Sequence, residues 1–278
     1  MSEPRGETLL VELLSEELPP KALRPLGDAF GTSLVENLRQ EGLLTPVSRP
    51  IIYATPRRLA VSISAVLARA PDQEVVEKLM PKAVAEAASG EPTAALHGRL
   101  KKLGRPHLAS GYPDARDGPD HLYVASDGKA DYVWLRSMAR GTALLPALQS
   151  ALGEALAKLP IPKVMSYARP GSYYNDVEFV RPAHRLLVLH GGEIVSVSVL
   201  GLEAGRVTAG HRFLARQDIE IETADAYADA LEAHGKVVLR FDDRRKRIVA
   251  MLEAAAAGSR VIKPDDLLDE VTALVEWP

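Results

Sequence analysis

The sequence contains no cysteine, and that absence removes disulfides, thiolate zinc sites and cysteine nucleophiles together. It agrees with a reducing compartment. Long hydrophobic runs are missing too, and no stretch approaches the length needed to cross a bilayer. Met1 to Glu7 is polar and lacks the apolar segment of a secretory signal. A cytoplasmic location, with no membrane partner, is the expectation. Nor is there a large excess of one charge: the formal net charge is -3. Any contact with nucleic acid must therefore come from local patches rather than a global field.

Several catalytic signatures are absent as well. Gly205 to Arg212 has the glycine spacing of a phosphate loop, but His211 and Arg212 stand where that loop needs Lys and a hydroxyl. No His-Glu-x-x-His pair occurs, the seven histidines show no helical ligand spacing, and no Gly-x-Ser-x-Gly elbow is found. Glu16-Glu17 reads as a helix-start signature ahead of Pro19-Pro20 rather than as acid–base machinery. Neighbouring carboxylates on one segment point in different directions.

What is present is an ordinary folded composition, 46% apolar and 26% charged over 278 residues, enough for a good core and for two domains. Thr8 to Leu14 reads as a strand. Leu23, Leu26, Phe30, Leu34 and Leu38 fall at helical spacing, although Pro25, Gly27 and Gly31 oppose that helix on propensity, so packing must carry it. Ile51 to Ala54 and Leu59 to Leu67 read as strands split by Thr55-Pro56-Arg57-Arg58. Residues 71–118 are the least legible; their basic residues are Arg99, Lys101, Lys102, Arg105 and His107. His121 to Ser126 and Tyr132 to Met138 predict a hairpin around Asp127-Gly128.

Leu145 to Leu159 predicts an amphipathic helix. Leu159-Pro160-Ile161-Pro162-Lys163 then places a domain boundary, giving domains 1–159 and 160–278. Leu186 to Leu189 and Ile194 to Leu200 flank the two-residue turn Gly191-Gly192. Three helices follow. The first runs from a Thr223 cap to Gly235; the second turns Ile248, Met251, Leu252 and Ala255 inward. The last is opened by Pro264 and carries Leu267, Leu268, Val271, Leu274 and Val275 on one face. That face needs cover, which implies that the natural protein continues. The fold class expected is α+β, with mixed, mostly antiparallel sheets packed with helices and a helical segment at the end.

Cations gather at rigid corners. Arg57 and Arg58 follow Pro56; Arg181 precedes Pro182; Arg206, His211 and Arg212 sit among glycines. If the Arg181-Pro182 corner and the Gly205 to Phe213 loop meet, they form a patch for an anion, since Arg forks suit phosphate. Salt bridges to surface carboxylates, and hydrogen-bonded structural roles for His184 and His211, are the alternatives. Arg244-Arg245-Lys246-Arg247 in a helix's first turn opposes the dipole, offset by Asp242 and Asp243 or by a bound anion. Trp134 and Tyr173-Tyr174 suit stacking on an unpaired base, or core and interface roles.

Together the segments resemble the β subunit of bacterial glycyl-tRNA synthetase of the heterotetrameric type. The matching pieces are Leu9 to Glu12 with Glu16 to Ala22, Ala54 to Ala60, Leu159 to Lys163, Phe179 to His184, Gly210 to Phe213 and Glu270 to Pro278. They occur in family order along nearly the whole chain. Met165 to Asn175 is longer and richer in Tyr than is usual there, and Ser15 replaces the more usual Thr. The resemblance implies the N-terminal part of that subunit, similar to the body and tail of archaeal CCA-adding enzymes, which grip tRNA. It implies an α-subunit partner that holds ATP and Mg²⁺ and activates glycine, and no catalytic centre, metal or cofactor in this chain. tRNA(Gly) would be bound by candidates Arg57, Arg58, Lys163, Arg181, His184, Arg206, His211 and Arg212. The alternative is an inter-subunit scaffold that does not touch tRNA.

Overall fold

A computed structural model describes residues 6–168, 172–174 and 176–278. Strand β1 (Glu7–Ser15) leads to helix α1 (Pro20–Gln40) and strands β2 (Pro50–Thr55) and β3 (Arg58–Val66). Next come β4 (Gln73–Pro81), α2 (Lys82–Ala85), α3 (Ala94–Lys102), a 3-10 segment (Pro106–Gly111), β5 (Ala115–Asp117), β6 (Asp120–Ser126) and β7 (Asp131–Ala139). After α4 (Leu144–Ala157) the chain forms β8 (Met165–Tyr167), β9 (Val177–Phe179), β10 (Ala183–His190) and β11 (Glu193–Ile194). The short strands β12 (Ser198–Val199), β13 (Leu202–Gly205), β14 (Val207–Ala209) and β15 (Asp218–Glu220) follow. A 3-10 turn (Ala224–Ala226), α5 (Tyr227–Ala233), α6 (Phe241–Ala255) and α7 (Asp265–Thr272) complete it. The class is α+β with mostly antiparallel sheets, as expected.

Two compact units result. The described residues up to Ala70 join Thr142–Pro278 in one, and Pro71–Gly141 forms the other. The 159/160 boundary expected from Pro160 and Pro162 falls inside the larger unit, because β1 pairs along its length with β10.

The larger unit is built on a sheet in the order β12-β13-β10-β1-β3-β2, with β11 at the side of β10. β1 is its centre, antiparallel to β10 and to β3. A central strand covered on both faces must be apolar at consecutive positions, which is why Leu9 to Leu14 does not alternate. Leu9, Val11 and Leu13 join α1 and α4 in one core; Leu10 joins Tyr53, Leu187, Tyr227 and Leu231 in a second.

Helix α1 begins at Pro20, a residue that sacrifices no helical N–H at that position. Its two buried glycines permit close approach to β2: a Cβ on Gly27 would stand 2.6 Å from Ala54 Cβ, and one on Gly31 2.5 Å from Ile52 Cγ1. The strand read over Ile194 to Leu200 breaks into β11 and β12, and between them the Val197 N–H turns back to the Val195 carbonyl at 2.8 Å. Thr223 makes no side-chain cap bond. Along α6 only Arg244 and Ile248 are buried; Met251 and Leu252 face outward.

The smaller unit is an antiparallel sheet in the order β4-β7-β6-β5, and the predicted β6–β7 hairpin forms its centre. Its core joins Leu122, Val133 and Leu135 of the sheet to Ala85, Leu96, Leu100 and Leu108 of the helical segments.

Candidate functional site

The Arg181-Pro182 corner and the Gly205 to Phe213 loop do meet, and Glu16 joins them. Its backbone N–H donates to the Pro182 carbonyl at 2.9 Å. One carboxylate oxygen contacts His184 Nε2 at 2.8 Å, and the other accepts from Arg212. Arg212 also pairs with Glu17 at 3.1 Å. The hydrogen bond from Arg212, aided by His184, depresses the Glu16 carboxyl to about 2. Glu16-Glu17 is thus a clamp on Arg212 and His184 and not the helix cap expected. The residue before α1 is Pro19, with no side-chain capping bond.

The other candidates are held differently. Arg181 donates to the carbonyls of Glu17 and Val180 at 3.0 and 2.9 Å. Arg206 donates to the Gly192 carbonyl at 3.0 Å. His211 Nδ1 accepts from the Phe213 and Leu214 N–H groups and is a structural histidine of this loop. Arg57 reaches the Gly210 carbonyl at 3.5 Å, while its Nε is buried without a partner among the described residues. Burial lowers its pKa. Lys163 is exposed, with no polar partner among the described residues. Arg169, Pro170, Gly171 and Asn175 of the tyrosine-rich piece lie outside the described residues.

Arg58 requires correction. It is fully buried and cannot meet a phosphate at the surface. Its guanidinium lies 3.3 Å from Glu12 and 3.0 Å from Glu276, and it donates to the Ala209 carbonyl. Burial disfavours its charge, but Glu276 and Glu12 outweigh that and raise its pKa. Glu12 also accepts from Thr208 and Tyr227, and Glu276 from Thr55 at 3.1 Å. Burial first, then Glu12, pushes the Tyr227 hydroxyl well up. The basic run in α6 has a similar explanation. Arg244 is buried and donates to the carbonyls of Val238, Leu239 and Ala54 at 2.7–2.9 Å, with its pKa drawn down to about 10 by burial. Arg245 pairs with Asp265 and Asp269, so these cations are satisfied within the chain.

This buried network is almost invisible in the sequence. Its one visible signal was Glu12, a lone carboxylate inside Leu9 to Leu14. A charge in such a run is costly unless paired.

The fold and the corner define an α+β protein whose conspicuous charges are paired internally. Among the described residues no group of three or more His, Asp or Glu side chains could hold a metal ion. No helix among them is long and apolar enough to cross a membrane. The chain belongs to the glycyl-tRNA synthetase beta subunit family, whose model matches residues 9–278. It is 49% identical over 271 residues to the glycine–tRNA ligase beta subunit of Ralstonia nicotianae, covering 98% of this chain and 38% of that protein. The Acidovorax ebreus protein of the same name is 50% identical over 278 residues, 98% of this chain and 37% of that one. That of Nitrosomonas eutropha is 46% identical over 275 residues, again 98% and 37%. The chain thus spans little more than a third of the length of the curated relatives it matches.

Proposed function

We propose that the chain acts in ATP-dependent glycylation of tRNA as the N-terminal portion of a β subunit, supplying tRNA binding while an α subunit activates glycine. The observation that carries this reading is an identity of 49–50% over 98% of the chain to beta subunits of glycine–tRNA ligase. ATP and Mg²⁺ are assigned to the α partner, and a heterotetramer in the cytoplasm is the expected setting. Lys163, Arg57 and Arg181, and Arg206 beside Gly192 at the other end of β10, form no ion pair with a carboxylate among the described residues, and these are the phosphate contacts proposed.

A second reading, an inter-subunit scaffold, is favoured at the Arg212 end. Arg212 is paired with Glu16 and Glu17, and His184 contacts Glu16, while Phe213 and Leu214 beside them are 70% and 58% exposed. Paired charges with protruding apolar side chains suit a protein partner better than a phosphate backbone.

The test is tRNA(Gly) affinity against salt for the wild type and for Lys163→Glu with Arg181→Glu, alongside co-elution with purified α subunit for Phe213→Ser. Each lost phosphate contact should flatten the salt slope by about one unit. An unchanged affinity and slope removes those residues from the RNA contact. Loss of co-elution alone assigns the Arg212 end to the α subunit.

A further inference from the structure

The smaller unit uses only one face of its sheet for a core. Leu122, Val133 and Leu135 turn toward the helices, as do Leu96, Leu100 and Leu108 from the other side. Side chains alternate along strands, so the neighbours of these residues occupy the opposite face. There Tyr123 of β6 stands directly across from Trp134 of β7, His121 across from Arg136 on one side and Arg116 of β5 on the other, and Lys78 of β4 across from Trp134 on its other side.

The result is a strip of rings flanked by cations. The His121 and Tyr123 centroids are 4.8 Å apart. Lys78 Nζ lies 3.4 Å from the Tyr132 ring centre and 5.8 Å from that of Trp134. Trp134 is fixed by its indole N–H, which donates to the Ala125 carbonyl at 3.1 Å. Tyr123, Tyr132 and Trp134 stay partly exposed, and Val76 and Met138 beside them are 45% and 38% exposed.

We propose that this face binds RNA through unpaired bases, which stack on Trp134, Tyr123 and Tyr132 while Lys78, Arg116 and Arg136 meet the adjoining phosphates. The proposal rests on the reading that the chain handles tRNA, and places a contact on the smaller unit. Stacking on side-chain rings requires a base freed from its helix, so loop or end nucleotides fit and a duplex stem does not. Rings with an ammonium against them and guanidinium groups on neighbouring strands match the two parts of a nucleotide, the π-face and the anion. The three cations now pair with Asp127, Asp114 and Glu74, the last two at 3.7 and 3.6 Å. Exposed pairs of this kind are weak, and a phosphate exchanges for the carboxylate at small cost. A plain cross-strand role would account for the rings but not for Lys78 lying against two of them.

The experiment uses the 278-residue chain and two probes, a labelled tRNA(Gly) transcript and a short single-stranded RNA oligomer of mixed sequence, read by fluorescence anisotropy. Trp134→Leu and the exposed-site variant Val76→Glu should each raise Kd for both probes by roughly 5- to 100-fold. Trp134→Phe should retain most of the affinity, and a duplex RNA should compete poorly. Thermal melts check folding; if Trp134→Leu is unfolded, Val76→Glu and Trp134→Phe decide. tRNA binding that Val76→Glu leaves unchanged overturns the site but not the tRNA reading. Oligomer binding without tRNA binding keeps the site and removes the tRNA reading, and binding of neither probe ends both. Quenching of Trp134 in a Trp277→Phe background by a proline-rich peptide, but not by the oligomer, would assign the face to protein instead.

Discussion

Arg58 shows what burial does to a cation chosen for its neighbours in sequence. Beside Arg57 in a proline turn it looks like half of an anion fork, yet it closes a network with Glu12 and Glu276 inside the protein. Removing one partner of a buried pair strands the other, so Arg58→Met should cost about 3–5 kcal/mol. Urea denaturation at constant m checks it, and a loss under 1 kcal/mol would show the network to be dispensable. Tyr227→Phe keeps the ring and deletes one hydrogen bond to Glu12. It should cost about 1–3 kcal/mol, since the carboxylate loses a donor.

Glu16 supplies the pH dependence of the corner. Its folded pKa is about 2, below the ordinary 4.5. A depressed carboxyl contributes stability above its unfolded pKa and loses it as pH falls through the folded one. The stability gap between wild type and Glu16→Gln should therefore be constant above about pH 5 and close between pH 4.5 and 2. Carbon-detected titration of Glu16 is the direct measurement. A midpoint near 4.5 would mean that Arg212 does not hold it in solution.

At the level of elements, α1 reverses the usual ranking of glycine and alanine. Alanine normally improves a helix by about 1 kcal/mol over glycine. Gly27 and Gly31, however, face Ala54 and Ile52 at distances that admit no Cβ. Each Gly→Ala change there should destabilise by about 1–3 kcal/mol through overpacking. Gly153 of α4 has nothing within 4 Å of where its Cβ would stand, and Gly153→Ala should stabilise by up to about 1 kcal/mol. Thermal melts of the three variants separate the cases. The sequence announced this helix through Leu23, Phe30 and Leu34, and even announced that packing had to support it. It could not say which strand supplied the packing. The apolar face expected of the last helix is in part uncovered, with Leu267 and Leu274 56% and 62% exposed.

At the scale of the molecule, the smaller unit is an insertion whose ends meet. The Ala70 N–H donates to the Thr142 carbonyl at 2.9 Å, and Arg69 bridges to Ala143. The two cores of the larger unit draw no residue from Pro71–Gly141. Replacing that segment with a short Gly-Ser link should leave a protein that keeps its sheet and unfolds in one cooperative transition. Calorimetry and circular dichroism test this; a broad, non-cooperative melt would show that the larger unit needs its insertion. Pro160 and Pro162 point to a division there because proline and glycine mark breaks in the chain. Punctuation of that kind is local, and an insertion is defined by which distant strands pair.

The sequence by itself determined the longer elements of the larger unit, the class and the family: hydrophobic periods fix which residues must be covered, and ordered motifs fix kinship. It also placed the cations at rigid corners. Only the tertiary structure decided what those cations face. Arg58 and Arg212 share a residue type and a loop-like setting, but one lies among buried carboxylates and carbonyls and the other on an exposed glutamate clamp. The partner of a charge is chosen by chain segments far apart in sequence, here β1, the loop after β14 and the residues around Glu276, and no local pattern records their meeting.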